Sequence, residues 1–201
     1  MGSILSYLAS NPEADRINEA YRRRVKEHEQ DKVPQTPSHI VDELYLGNMY
    51  DCLSPKVLTT HNIRNLVNCT KIVYEPNIDG VEIAISHMGI EDDESENIFA
   101  LLPAQTKFIA EAEGPTLVHC EHGVSRSATV CIAFLMKYHS MSALNALLLV
   151  RKCRKVVCPN EAFLEALVDW EDLLATAKGS KTGKKKKRLN ELKAVFKTKP
   201  N

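Results

Sequence analysis

Residues 118–127 read Val-His-Cys-Glu-His-Gly-Val-Ser-Arg-Ser: a cysteine closing a short apolar run, a glycine inside a five-residue gap, and an arginine opening a segment of helical character. Few folds accommodate that order. The run 116–120 (TLVHC) has the composition of a strand buried on both faces, so the chain must turn tightly at its end and start a helix near Arg126. Such a turn aims successive backbone N–H groups of residues 121–126 into the loop, and the helix start adds the positive end of its dipole. The product is an anion cradle. A sulfur at its base, Cys120, has its pKa drawn down from about 8.5 and is a thiolate nucleophile at neutral pH. Arg126 lies over the same loop, where its planar fork can hold two oxygens of a tetrahedral anion. Gly123 permits close backbone approach, and the Ser127 hydroxyl can hydrogen-bond the sulfur and improve it as a leaving group.

The remaining residues supply a frame for this loop. Segments 39–47 (HIVDELYLG), 63–69 (IRNLVNC) and 81–85 are expected strands, with a short helical stretch at 54–60 between the first two. An acidic loop at 91–96 leads into a helix running to about Ala112, which Gly114-Pro115 stops. Helices are expected at 126–138, 142–153 and 160–176. Strands alternating with helices, followed by a helical C-terminal half, define an α/β domain with helices packed on a central sheet. Before it, residues 11–32 carry Ile17, Ala20, Tyr21 and Val25 at three- and four-residue steps, one apolar stripe on a solvated helix that Pro34 and Pro37 end.

At 201 residues the chain holds one globular domain with room for terminal segments. Its apolar runs, at 132–136 and 146–150, fall far short of the roughly 20 residues of a membrane span. The N-terminus shows no secretory pattern, so the six cysteines (Cys52, Cys69, Cys120, Cys131, Cys153, Cys158) are expected as thiols in a reducing compartment. None forms a C-x-x-C pair, and neither metal nor cofactor is expected. The net charge is zero, with 26 basic and 26 acidic residues, yet it is unevenly placed. Residues 178–201 carry ten basic side chains and one acidic, a local +9, while 33–177 carry ten basic and 19 acidic, a local −9. The expected organisation is an N-terminal segment (1–37), an acidic catalytic domain (38–177) and a basic C-terminal tail (178–201).

His119-Cys120, five residues, then Arg126-Ser127 resembles the signature loop of cysteine-based phosphatases, and the filling Glu-His-Gly-Val-Ser resembles its dual-specificity version. Leu44-Tyr45-Leu46-Gly47-Asn48 resembles the family's first-strand motif. Ala133-Phe134-Leu135-Met136 matches the helix after the loop, and Val150-Arg151 with Pro159-Asn160-Glu161-Ala162-Phe163 matches its C-terminal helices. Over about residues 39–174 the chain is thus similar to atypical dual-specificity protein phosphatases of the protein tyrosine phosphatase superfamily. The resemblance implies the phosphatase-like fold, a central mostly parallel sheet flanked by helices. It implies hydrolysis of phosphotyrosine and phosphoserine/phosphothreonine through a cysteinyl-phosphate. It also implies a general acid/base aspartate: Asp92 stands five residues before Asn97 and six before Ile98, with Asp93 adjacent as the alternative. His119 is expected buried beside the nucleophile, Glu121 and His122 to tune specificity together with Gly123, Val124 and Ser125 of the cradle, and Asn160 to cap a helix. Cys69 is either a buried spectator or, as in some related phosphatases, the partner of a reversible disulfide with the oxidised nucleophile.

The loop filling holds an acid, Glu121, and no lysine, which favours phosphoproteins over phosphoinositides. Ser125-Arg126-Ser127 departs from the RNA 5′-triphosphatase branch, and retention of Cys120, Arg126 and Asp92 speaks against a catalytically dead phosphate-reading scaffold. The termini bear on location. Met1-Gly2-Ser3-Ile4-Leu5-Ser6 fits the N-myristoylation pattern at Gly2. One acyl chain binds membranes only marginally, and the basic tail is expected to add attraction to an anionic leaflet. The run KKKKR, from Lys184 to Arg188, also fits a nuclear localisation segment. A cytoplasmic, membrane-associated protein is expected, with the nucleus as alternative.

Overall fold

The computed structural model describes residues 36–197, apart from 75 and 77–79. The helix expected at 11–32 and the Gly2 motif lie outside the described residues. Strands β1 (Ser38–Val41), β2 (Leu44–Gly47), β3 (Asn65–Asn68), β4 (Ala84–His87) and β5 (Thr116–His119) form one sheet in the order β1-β2-β5-β3-β4. Every pairing is parallel except β1 with β2. The segment expected as a single strand at 39–47 is therefore a hairpin. Asp42 takes a left-handed φ of 45°, a conformation that aspartate tolerates through local hydrogen bonding, and the chain folds back so that His39 pairs with Tyr45. The strand expected at 81–85 lies at Ala84–His87, aligned Asn65↔Ala84 to Asn68↔His87 with β3.

Alternation along the central strands builds a core on each face of the sheet. Val67 and Val118 face α3 (Ile98–Glu111) and α4 (Arg126–Tyr138), while Leu66 and Leu117 join Cys52, Leu58 and Ile63 on the other side. That second layer comes from α1 (Met49–Leu53) and α2 (Pro55–Thr60). α2 starts as its sequence dictates, with Ser54 capping Val57 N–H and Pro55 in the first turn. α1 is an addition to the expected elements, set by a reciprocal capping box between Asn48 and Asp51. α4 follows the loop and is buried from Arg126 through Met136, which places its N-terminus beneath the sheet's C-terminal edge.

The C-terminal half runs through α5 (Ala143–Cys153), α6 (Glu161–Ala177) and α7 (Lys185–Ala194). α7 changes the picture of residues 178–201 as a tail separate from the domain. Leu192 is buried at 1% exposure and Leu189 packs against the core. Lys185 pairs with Asp169, Arg188 with Glu171 and Asp172, and Lys193 with Glu161. The acidic face of α6 draws the basic segment onto the domain. Among the described residues, no helix is long and apolar enough to cross a membrane.

Candidate active site

β5 delivers Cys120 to the floor of a loop in which five successive carbonyls are held from behind. Met49 N–H donates to Glu121 O (3.2 Å), Arg154 Nη2 to His122 O (3.2 Å), Arg154 Nε to Gly123 O (2.9 Å), Cys158 N–H to Val124 O (2.9 Å), and Thr129 N–H and Oγ1 to Ser125 O (both 2.9 Å). A trans peptide points its N–H opposite to its C=O, so the amides of residues 122–126 turn inward. Gly123 N–H reaches Cys120 Sγ at 3.2 Å, and Ser127 Oγ reaches it at 3.1 Å. Gly123 has a φ of +68°, and a Cβ there would lie 2.4 Å from Gly47 O and 2.8 Å from Arg154 Nη2, so no larger residue fits. Burial pushes the Cys120 thiol up. The Arg126 guanidinium, the Ser127 hydroxyl and the N–H groups of Ser127 and Val124 outweigh it and hold the thiol below its ordinary value.

Arg126 opens α4 and is 3% exposed. Its Nη1 donates to Ile90 O at 3.0 Å, and the carboxylates of Glu91 and Glu121 stand 4.0 and 3.8 Å from Nη1 and Nη2. Its Nε is buried without a hydrogen-bond partner among the described residues. A donor that buried carries a desolvation cost unless an acceptor reaches it, which suits a group that meets an oxyanion.

The two candidate aspartates diverge. Asp92 Oδ1 accepts from Ser125 Oγ (2.7 Å) and from Asn160 Nδ2 (3.0 Å), and Asn160 N–H donates to the same Ser125 hydroxyl (3.2 Å). The carboxyl is thus pinned at the rim of the cradle. Asp93 turns to solvent and accepts from Ser95 N–H and Oγ, which hold its carboxyl below the usual range. Asn160 has two tasks, since it also caps α6 through Phe163 N–H (2.9 Å).

His119 is fully buried and meets the Tyr74 hydroxyl through Nε2. Burial pushes its pKa down to about 3, so the ring is neutral. Cys69 follows β3 as Cys120 follows β5, and its N–H donates to His119 O at 3.0 Å. Burial, followed by the neighbouring Cys120 and Cys131, raises its thiol well above the ordinary value. Among the described residues, no group of three or more His, Cys, Asp or Glu side chains is placed to hold a metal ion.

Three residues support the site in ways that the sequence reading does not assign. Asp51 carried a signal, the N-x-x-D capping spacing from Asn48. Asn160 was legible as a cap and not as a partner of Asp92. Arg154, 1% exposed, carried none: at the end of an amphipathic helix an arginine reads as solvated.

The dual specificity phosphatase catalytic domain model matches residues 44–173. The chain is 33% identical over 135 residues to human dual specificity protein phosphatase 21, covering 67% of this chain and 71% of that one. It superposes on the crystal structure of human DUSP28 with a TM-score of 0.65 at 30% identity, covering 71% of this chain and 97% of that one. A mouse putative dual specificity phosphatase complexed with zinc tungstate gives a TM-score of 0.64 at 27% identity, covering 74% and 94%. The chain belongs to the dual specificity phosphatase family of the cysteine-based protein tyrosine phosphatase superfamily. It is a dual-specificity protein phosphatase, and the chemistry of that class runs through a cysteinyl-phosphate.

Proposed function

We propose that Cys120 is the nucleophile of this phosphatase, Arg126 and the inward amides of its loop the phosphate-binding group, Asp92 the general acid and base, and Ser127 the aid to thiolate departure. Cys120 Sγ attacks phosphorus in line as the P–O bond to the substrate breaks, and Asp92 gives its proton to the leaving oxygen. Arg126 and the loop amides hold the non-bridging oxygens. Asp92, now a carboxylate, takes a proton from water as that water attacks the phosphocysteine. The S–P bond breaks, inorganic phosphate leaves, and Ser127 Oγ–H stabilises the released thiolate. The observation that carries this reading is the pair of donors, Gly123 N–H and Ser127 Oγ, aimed at one buried sulfur inside a loop whose carbonyls all point away. The tungstate in the mouse relative, a tetrahedral oxyanion, supports it. Acid-quenched reactions should trap phosphate on Cys120 in a Ser127→Ala variant and none in Cys120→Ser, which should also lose all turnover. Turnover surviving Cys120→Ser overturns the mechanism.

The acid in the loop, Glu121, 3.8 Å from Arg126, favours phosphoproteins as substrates over polyanionic headgroups. A turnover panel of phosphopeptides, phosphoinositides and triphosphorylated RNA tests this directly. For location, we propose a peripheral membrane protein acylated at Gly2. Lys184, Lys185, Lys186 and Lys187 of the basic run are exposed, Lys185 and Lys187 while paired with Asp169 and Glu191, and Arg188 alone is sheltered in its ion pairs, so the lysines are the cations that this run offers an anionic leaflet. A Gly2→Ala variant should move from the membrane to the soluble fraction; unchanged partitioning, or nuclear accumulation of both forms, removes the lipid reading.

A further inference from the structure

We infer that Arg154 is a positioning residue for phosphoryl transfer: from behind the loop, one guanidinium aims the two peptide N–H groups that face Cys120. The inference rests on Cys120 being the nucleophile. Arg154 follows α5 and is 1% exposed, so it touches neither solvent nor substrate. Its Nη2 donates to His122 O and its Nε to Gly123 O, with Nη1 on Thr36 O at 3.4 Å. The planes of those peptides decide what this does. The His122 carbonyl shares a rigid plane with Gly123 N–H, the group 3.2 Å from Cys120 Sγ. The Gly123 carbonyl shares one with Val124 N–H, which also stabilises the thiolate. Gripping both oxygens fixes the direction of both N–H dipoles, and a charge-assisted hydrogen bond at each oxygen polarises the amide at its other end.

The surroundings leave Arg154 no other geometry. Asp51, buried on α1, is its countercharge and is itself held by Asn48 N–H at 2.9 Å. A Cβ on Gly47 would strike Asp51 Oδ2 at 2.6 Å, and one on Gly123 would strike Arg154 Nη2 at 2.8 Å, so the two glycines, the carboxylate and the guanidinium are mutually fitted. Two adjacent carbonyls require two donors at fixed spacing. A guanidinium supplies them and a lysine ammonium, a point charge, does not. The other charged or titratable groups that bear on Cys120 are Arg126 and Cys131 of α4, Cys69 after β3 and neutral His119.

Arg154→Met and Arg154→Lys test the assignment in the full chain. Site-resolved iodoacetamide labelling across pH separates Cys120 from the exposed Cys158 and gives the apparent pKa of the nucleophile. Inhibition by orthovanadate reads the cradle itself. In Arg154→Met the apparent pKa should rise by about one unit, and vanadate affinity and kcat should each fall about 10- to 100-fold, below the loss expected for removing a direct oxyanion donor. Arg154→Lys should recover only part of each. A merely structural arginine would lower thermal stability and leave both quantities unchanged per folded molecule. Parental thiol pKa and vanadate affinity in whichever variant keeps the parent's far-UV spectrum overturns the inference. A parent Cys120 that titrates like an ordinary thiol, or Cys120→Ser that still turns over, would instead defeat the nucleophile reading beneath it.

Discussion

At the scale of single residues, the choice between Asp92 and Asp93 shows what one position in a loop is worth. The pair is adjacent in an acidic run, and spacing to Asn97 and Ile98 favours Asp92 without excluding its neighbour. Hydrogen bonding separates them: Ser125 and Asn160 tie Asp92 to the cradle, while Ser95 ties Asp93 to solvent. Asp92→Asn should therefore lower kcat on a phosphoserine peptide by about 10²-fold or more, and less on p-nitrophenyl phosphate, whose leaving group needs little protonation. Asp93→Asn should leave both within about threefold; steady-state rates on the two substrates settle the pair. Asp51 makes a different prediction. Burial lifts its carboxyl from 3.8 to about 6, against the opposing pull of Asn48 N–H and Arg154. A carboxyl that holds its proton more tightly folded than unfolded contributes its stability in full below about pH 4 and loses it as pH rises through 6. Thermal melts of the parent should show that loss, on the order of 3 kcal/mol, and Asp51→Asn should flatten the curve between pH 4 and 7.

At the scale of elements, strands and helices with strong local punctuation were legible: Gly114-Pro115 ends α3, Ser54-Pro55 starts α2, and Ser142 and Asn160 cap α5 and α6. The misses have tertiary causes. The 39–47 hairpin needs a left-handed Asp42, which composition does not announce, and the short α1 owes its place to the loop it supports through Met49 N–H. α7 is the larger surprise. Its lysine-rich sequence has little apolar content, yet Leu192 inserts fully and Arg188 is held by two acids of α6. Leu192→Ala should remove about 2–5 kcal/mol from the docking of α7. Hydrogen exchange should then rise across Lys185–Ala194, with kcat within about twofold of the parent, because the helix opens as a local unit.

At the scale of the molecule, the described part of the basic C-terminal segment, through α7, folds onto the acidic domain. Glu161, Asp169, Glu171 and Asp172 of α6 receive Lys193, Lys185 and Arg188. The solvent-facing Lys185–Asp169 pair adds little stability by itself; together with the sheltered Arg188 pairs it lowers the charge that the segment shows to a partner. Neutralising the receiving acids, as in a Glu171→Gln/Asp172→Asn double variant, should strengthen binding to vesicles rich in phosphatidylserine, with salt reversing it. Unchanged binding would mean that the docked arginine never competed for the membrane.

The sequence by itself determined the cradle with Cys120, Arg126 and Ser127 as its proposed nucleophile, phosphate-binding arginine and sulfur partner, and the α/β class, because a cradle made from contiguous residues writes its chemistry into one short string. Only the tertiary structure decided which aspartate meets the loop, what holds the loop's carbonyls and where the basic segment lies. Those depend on Ser125 with Asn160, on Asp51 with Arg154, and on α6 with α7, partners brought together by the sheet and its helices across spans of sequence over which local spacing carries no information.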